Sequence, residues 1–534
     1  MIEKAFFPRL SPRVLLAFLL LLLVPRVFKT NPVPELSPQS PLAEKILKIV
    51  EAPAVKSALW GIEIRRAADQ SVLFALNAEK NFVPASNLKL LTAAAALDQA
   101  GPDWRFKTVA FGESSDLQKE PLEAGEWKGN LVLKGGGDPV FSDRVFDPEE
   151  ERSHPEEKPA ALRDLARQLA ARGVKRVAGN LIVDNSEFLS EPIGKGWEWD
   201  DLGWYYAAPV TPLAVNENSI EARITPGSVE GEPCQFSFTP SFCRPFFGYR
   251  VRTTLKEPVS PIQIERLLDR EGWILRGEMR VGSAADFEKV AVWDPGRYAG
   301  ILFRVALAEE GIAISPEQVV RAYELGVEPE KAAAFRPEAL MQTLPVRTEL
   351  AVRQSPPLSE ILKFLLKNSN NLYAEMLLRH LGKSIYPVGC VKGGLMAIGK
   401  FLEKAGIDSS TAVLQDGSGM AKSNLVSPHL LVQLLAFMKT HPHSQTFFEA
   451  LPVAGRDGTL KTRMAKSFAK GRIFAKTGTL STANSLSGYA RTNHGEELIF
   501  SIMANNHAGR AGEVRRAIDQ ICELMVELEP AKTK

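Results

Sequence analysis

The chain has 534 residues, 45% hydrophobic and 24% charged, with 65 Lys+Arg against 63 Asp+Glu. Its length points to about two to four domains, and its composition excludes a disordered tail, a fibrous repeat and a polytopic membrane protein. A formal net charge of +2 with no long run of one sign leaves no basic stripe for a nucleic acid.

Lys4, Arg9 and Arg13 precede an unbroken apolar run from Val14 to Val24. A spanning helix needs about 20 such residues, so the run suits the apolar core of a secretory signal. Pro25 and Arg26 follow it, where small residues would favour cleavage. Residues 1–28 are therefore expected to act as a signal peptide or an N-terminal membrane anchor, and the chain to be exported to the periplasm or the outer face of the cytoplasmic membrane. Residues 29–42, rich in proline, read as a linker. Four cysteines are too few for a disulfide scaffold. The spacing of Cys234 and Cys243 is compatible with a bridged hairpin, and Cys390 and Cys522 read as buried small apolar residues. No C-x-x-C pair supports a metal or redox centre, and no cofactor is expected.

Ala43–Val50 reads as a short amphipathic helix. Alternating apolar residues at Trp60, Ile62 and Ile64 predict a strand, and Val72–Leu76 a second. A helix starts near Pro84-Ala85-Ser86, runs through Leu97 and stops at Gly101-Pro102. Beyond residue 105 the texture changes to short β-like runs, at Asn130–Leu133, Asn180–Val183, Ile220–Ile224 and Arg276–Val281, with an acidic stretch at Asp147–Glu157. Helical patterning returns before residue 300 and dominates after Leu358. The expected organisation is an α/β domain over 43–105 and 345–530, interrupted at 106–344 by one or two β-rich inserted domains.

Three short motifs carry chemistry. In Ser86-Asn87-Leu88-Lys89 a helix puts serine and lysine on one face, where a lysine depressed by burial can take the serine proton. The same spacing recurs at Ser467-Phe468-Ala469-Lys470, in a Lys-rich loop with no apolar helix after it, and is read as a chance match. Ser369-Asn370-Asn371 separates two helical runs. Its residues either cap the second run, or Ser369 relays a proton while the Asn371 amide holds a substrate carbonyl. Lys476-Thr477-Gly478-Thr479 follows an apolar pair. It is either a surface strand end or an active-site strand in which Lys476 and Thr477 bind a carboxylate. On that second reading Gly478 admits the substrate close to the backbone, and the N–H of Thr479 joins that of Ser86 in an oxyanion hole.

The order Ser-x-x-Lys, Ser-x-Asn, Lys-Thr-Gly is that of penicillin-binding proteins and serine β-lactamases. The 283 residues from Ser86 to Ser369 exceed what a compact β-lactamase holds there. With Gly135-Gly136-Gly137-Asp138-Pro139, Ala374-Glu375, Asp416-Gly417-Ser418-Gly419 and Ser427-Pro428 added, the chain from about 43 to 525 resembles the D-alanyl-D-alanine carboxypeptidase/endopeptidase family, the class C low-molecular-mass penicillin-binding proteins. The resemblance implies a transpeptidase-like catalytic domain carrying two inserted domains. It implies peptidoglycan stem peptides as substrates, β-lactam antibiotics as covalent inhibitors, acylation of Ser86, Lys89 as base, Ser369 as relay and Lys476 as carboxylate anchor. A β-lactamase or esterase on the same scaffold, or a non-catalytic binding relative, are the alternatives. Gly135–Pro139 and Asp416–Gly419 read first as turns. His441-Pro442-His443 reads as an exposed loop, since a metal site would need a third ligand in spacing.

Overall fold

The computed structural model describes residues 40–114, 122–141, 155–241, 247–257, 259–267, 272–314, 319–322 and 346–529. The apolar N-terminal run, most of the linker, most of the acidic stretch and Cys243 lie outside the described residues. Among those described, no helix is long and apolar enough to cross a membrane.

The site is built on a five-stranded antiparallel sheet. Its strands run in the order Ile473–Leu480, Ala483–Arg491, Glu497–Asn505, Leu59–Arg66, Val72–Leu76. Side chains alternate between the two faces of a strand. Leu498, Phe500, Ile502 and Ala504 therefore join one core, while Ile499 and Met503 join another. On the first face lie the helices Pro41–Val50 and Ala511–Val526, whose Leu42, Ile46 and Val50, and Val514, Ile518, Ile521 and Met525, recur at helical spacing. On the second lie Lys89–Ala100, Leu358–Lys367, Asn371–Gly382, Val391–Lys404 and Pro428–Thr440. Each large apolar side chain buried in these cores contributes roughly 1.5–3 kcal/mol. Ser427 starts the Pro428 helix by accepting from Leu430 N at 3.1 Å, with proline at the first turn where its missing N–H costs nothing.

A separate apolar core gathers residues between Ala110 and Ala351. It is built on the strand order Val319–Ala322, Leu181–Asp184, Asn130–Lys134, Lys107–Ser114, Val346–Gln354, with the helices Ala160–Ala171 and Pro295–Glu309 against it. Val346–Gln354 pairs antiparallel with Lys107–Ser114. This strand thus belongs to the β-rich sheet, and the helical part of the catalytic chain resumes only at Leu358, some residues beyond the expected boundary at 345. Ser355 locks the crossing: its N–H donates to Phe106 O and its hydroxyl oxygen accepts from Phe106 N, at 3.0 and 2.9 Å.

Three local expectations need correction. Gly135–Gly137 is not a tight turn but a close backbone crossing, since a Cβ on Gly136 would sit 1.7 Å from Lys107 O and one on Gly135 2.6 Å from Pro212. Asp138–Phe141 continues from it as a strand paired with Leu213–Val215. His441 is not exposed: it is buried, with Nε2 3.1 Å from Asp98 Oδ1. Cys234 is a buried free thiol, as are Cys390 and Cys522.

Candidate active site

The serine motif begins at a strained point. Ala85 is fully buried with φ +48, a left-handed conformation uncommon for a residue with a Cβ. Ser485 Oγ donates to Pro84 O at 2.6 Å and holds the turn against the sheet. From there Ala85–Leu88 makes a 3-10 turn that runs directly into the helix Lys89–Ala100. Ser86 stays half-buried while Lys89, one turn later, is fully buried.

Lys89 Nζ has three neighbours: Ser86 Oγ at 2.8 Å, Asn371 Oδ1 at 2.6 Å and the carbonyl oxygen of Ser418 at 2.7 Å. Asn371 is oriented by donating its Nδ2 to Tyr206 O at 2.9 Å, which turns Oδ1 toward the lysine. Asn371 Oδ1 and Ser418 O can only accept. In the neutral amine they take its two N–H groups, and the remaining lone pair faces the Ser86 hydroxyl. Burial lowers Lys89 from 10.5 to about 7, against the opposing pull of Asp416 and Glu375.

In Ser369-Asn370-Asn371 the cap falls on Asn370, and the outer two residues face the two lysines. Asn370 caps the helix Asn371–Gly382 by accepting from Tyr373 N at 3.1 Å. Ser369, at φ +57, and Asn371 flank that cap and reach the two lysines. Lys476 is fully buried on the edge strand of the five-stranded sheet, and its Nζ donates to Ser369 Oγ and to Thr477 O, both at 2.8 Å. Burial first, and then Lys89, lowers the Lys476 ammonium well below its ordinary range. Thr477 Oγ1 donates to Thr459 Oγ1 at 2.7 Å. Thr479 is exposed on the same strand, and its hydroxyl accepts from Asn484 Nδ2 at 3.2 Å. Gly478 has a packing reason: a Cβ there would meet Ser485 Oγ at 2.2 Å, Pro84 O at 2.7 Å and Ala85 Cβ at 3.1 Å. Its missing side chain is what lets the strand lie against the serine turn.

Lys89 thus holds Ser86 and Asn371, and Lys476 holds Ser369, with Thr477, Gly478 and Thr479 on the Lys476 strand. Ser467 is not part of this group; its hydroxyl bonds locally to Met464 O, and Lys470 is exposed.

Sequence reasoning assigned no role to four supporting groups. Asn87 is fully buried; with its amide oriented to satisfy both ends it donates to Lys476 O at 2.6 Å and accepts from Leu486 N at 3.2 Å, tying the serine turn to the Lys476 strand. Asp416–Gly419 is more than a turn. Asp416 accepts from the N–H groups of Gly419 and Ala421, from Asn424 Nδ2 and from Trp197 Nε1. Burial, then the nearby Glu375, raises its carboxyl to about 6. Glu375 accepts from Gly417 N and Ser418 N at 2.8 and 2.9 Å and is paired at 3.0 Å with Arg379. That cage presents the Ser418 carbonyl to Lys89. A Glu and an Arg four apart in an otherwise apolar helix was the available signal. Tyr206, from the 106–344 region, gave none.

A model of the D-Ala-D-Ala carboxypeptidase 3 (S13) family matches residues 42–525. A D-alanyl-D-alanine carboxypeptidase from Actinomadura sp. (strain R39) is 32% identical over 481 residues, 88% of this chain and 82% of that one. A penicillin-sensitive carboxypeptidase A from Dictyostelium discoideum is 26% identical over 479 residues, 85% of this chain and 84% of that one. The crystal structure of penicillin binding protein 4 from Haemophilus influenzae superposes with a TM-score of 0.73 at 22% identity, over 90% of this chain and 98% of that one. This likeness supports the transpeptidase-like fold.

Proposed function

The chain belongs to the D-Ala-D-Ala carboxypeptidase 3 (S13) family and is a serine-type carboxypeptidase, and on that premise we propose that Ser86 is its nucleophile. Ser86 Oγ attacks the carbonyl carbon of the penultimate D-alanine while Lys89 Nζ takes its proton. The C–N bond then breaks, the amine of the terminal D-alanine receives a proton through Lys89 and Ser369, and D-alanine leaves. Water releases the Ser86 ester in the second half. The N–H groups of Ser86 and Thr479 hold the oxyanion, and Asn371 holds a carbonyl of the peptide. Lys476 and Thr477 bind the terminal carboxylate, whose charge restores the proton that burial takes from Lys476. Pro452–Ala454 cover the start of the Ile473–Leu480 edge, and its remainder from Lys476 onward suits an extended stem peptide added as a further strand. The same attack opens a β-lactam ring and leaves a covalent adduct, because the amine cannot diffuse away.

The observation that carries this reading is the position of Lys89 Nζ, 2.8 Å from Ser86 Oγ and otherwise against two acceptor-only neighbours. The carboxylates near Lys89 disfavour the β-lactamase alternative: Glu375 and Asp416 are both taken up by N–H donors of the wall rather than poised over an ester. The basic and apolar N-terminal segment supports export, so the substrate would be peptidoglycan, as stem-peptide termini or as D-amino-acid cross-links.

Intact-mass spectrometry with benzylpenicillin and tryptic mapping tests the proposal. An adduct on the peptide Asn81–Lys89, absent in Ser86→Ala and unchanged in Ser467→Ala, together with D-alanine release from a D-Ala-D-Ala peptide, is expected. An adduct elsewhere, or peptide turnover by Ser86→Ala, overturns it.

A further inference from the structure

Behind the wall of the cleft lies a second cavity, of about 130 Å³, lined by Asn185, Phe188, Val210, Arg266, Trp293 and Asp294 among others. Phe188 and Val210 separate it from the site by packing on Leu372 and Met376.

Two of its polar atoms, Arg266 Nη1 and Asn185 Oδ1, have no hydrogen-bond partner among the described residues. The Arg266 guanidinium lies over Trp293, its Cζ 4.0 Å from the ring centre, and donates Nη2 to Trp293 O at 3.3 Å. Nη1 is buried with no hydrogen-bond partner. Among the described residues no acid is ion-paired with it, and burial lowers the group to about 10. A largely desolvated guanidinium without an anion is costly, and proteins ordinarily pair one. Asn185 is 7% exposed, and its Oδ1 is a buried acceptor with no donor. The Asp294 carboxylate, which caps the helix Pro295–Glu309, adds a negative charge to the lining. The cavity has about the volume of four waters, the scale of alanine rather than of a peptide.

We propose that this cavity binds a small α-amino acid as its zwitterion. The carboxylate pairs with Arg266, the ammonium donates to Asn185 Oδ1 and faces Asp294, and a short side chain meets Phe188, Val210 and Trp293. The assignment does not depend on the acyl-enzyme. D-Alanine is the natural probe, because the carboxypeptidase reaction releases it.

Titration calorimetry of the full chain with D-alanine tests this. Saturable binding is expected, weakened at least ~10-fold in Arg266→Gln, as loss of a charged hydrogen bond implies, and weakened also in Asn185→Ala, but kept in Lys476→Ala. Acetate and methylamine, each carrying half of the charge pair, are expected to bind at least ~10-fold more weakly than D-alanine. The rate of benzylpenicillin acylation reports whether the Arg266 and Asn185 variants are folded, and urea denaturation does so for Lys476→Ala; if the native chain is not acylated, the mechanism above fails while the titration still decides the cavity. No D-alanine binding, equal binding of acetate, or binding lost in Lys476→Ala and kept in Arg266→Gln overturns the proposal. Should Arg266→Gln not fold, undiminished affinity in Asn185→Ala does the same.

Discussion

Lys89 sets a pH at which the enzyme should switch on. Only the neutral amine can take the Ser86 proton. An ordinary lysine at 10.5 is neutral in about one molecule in 3,000 at pH 7, whereas Lys89, lowered to about 7, is neutral in about half. Burial thus raises the active fraction by about three powers of ten. Its sign follows from the protonation state: below pH 7 the ammonium accumulates and acylation falls ~10-fold per unit, while above it the rate levels off. Stopped-flow acylation by benzylpenicillin from pH 5 to 9 should show that single rising limb. Lys89→Arg keeps a cation in place but cannot release a proton at these pH values, so it should lose about 10²–10⁴-fold, the usual contribution of a positioned base. A flat profile, a limb near pH 10, or Lys89→Arg acylating within ~10-fold of the native chain would refute the reasoning.

Three further substitutions separate packing from chemistry. Gly478→Ala places a methyl group 2.2 Å from Ser485 Oγ and 2.7 Å from Pro84 O; it should lower stability by about 1–3 kcal/mol, read by urea denaturation, and slow acylation by moving the serine turn. Glu375→Gln leaves the buried Arg379 without its charge partner, which should cost about 3–5 kcal/mol in the same assay; a change under about 1 kcal/mol would dismiss the cage around Ser418. Lys476→Ala should raise KM for peptides with a free terminal carboxylate and spare amide-capped ones, and equal losses on both would remove its anchoring role.

What sequence can and cannot disclose follows from distance along the chain. Ser86 and Lys89 meet within one turn of a helix, so their spacing already carries the contact. The strands around Trp60–Ile64 and at Val72–Leu76, and the helix after Leu358, show in their apolar periodicity because packing against one core imposes it. The meeting of Lys89 with Asn371 spans 282 residues, and no local pattern encodes it. Only the order of the motifs, taken as a resemblance, suggested that they converge. The Gly136 crossing was misread as a turn because a glycine needed for close approach looks the same in sequence as one needed for φ freedom. His441 was misread as exposed because its partner, Asp98, is 343 residues away. The Asn87 amide carries no local signal because its partners, Lys476 O and Leu486 N, lie on strands far along the chain.

One main-chain oxygen ties the inserted region to catalysis. The Asn371 amide that faces Lys89 is held at its Nδ2 by the carbonyl of Tyr206, 165 residues upstream. A trimmed enzyme keeping all three motifs but lacking 106–344 would lose that hold, and its asparagine amide could turn a donor toward the lysine. Such a minimal version would then be a poor catalyst even if it folded. The same dependence bears on folding: a contact this far apart carries a loop-closure cost, so on the proposed mechanism Ser86 gains its base only once these distant segments have met. A partly folded copy would be an unarmed one.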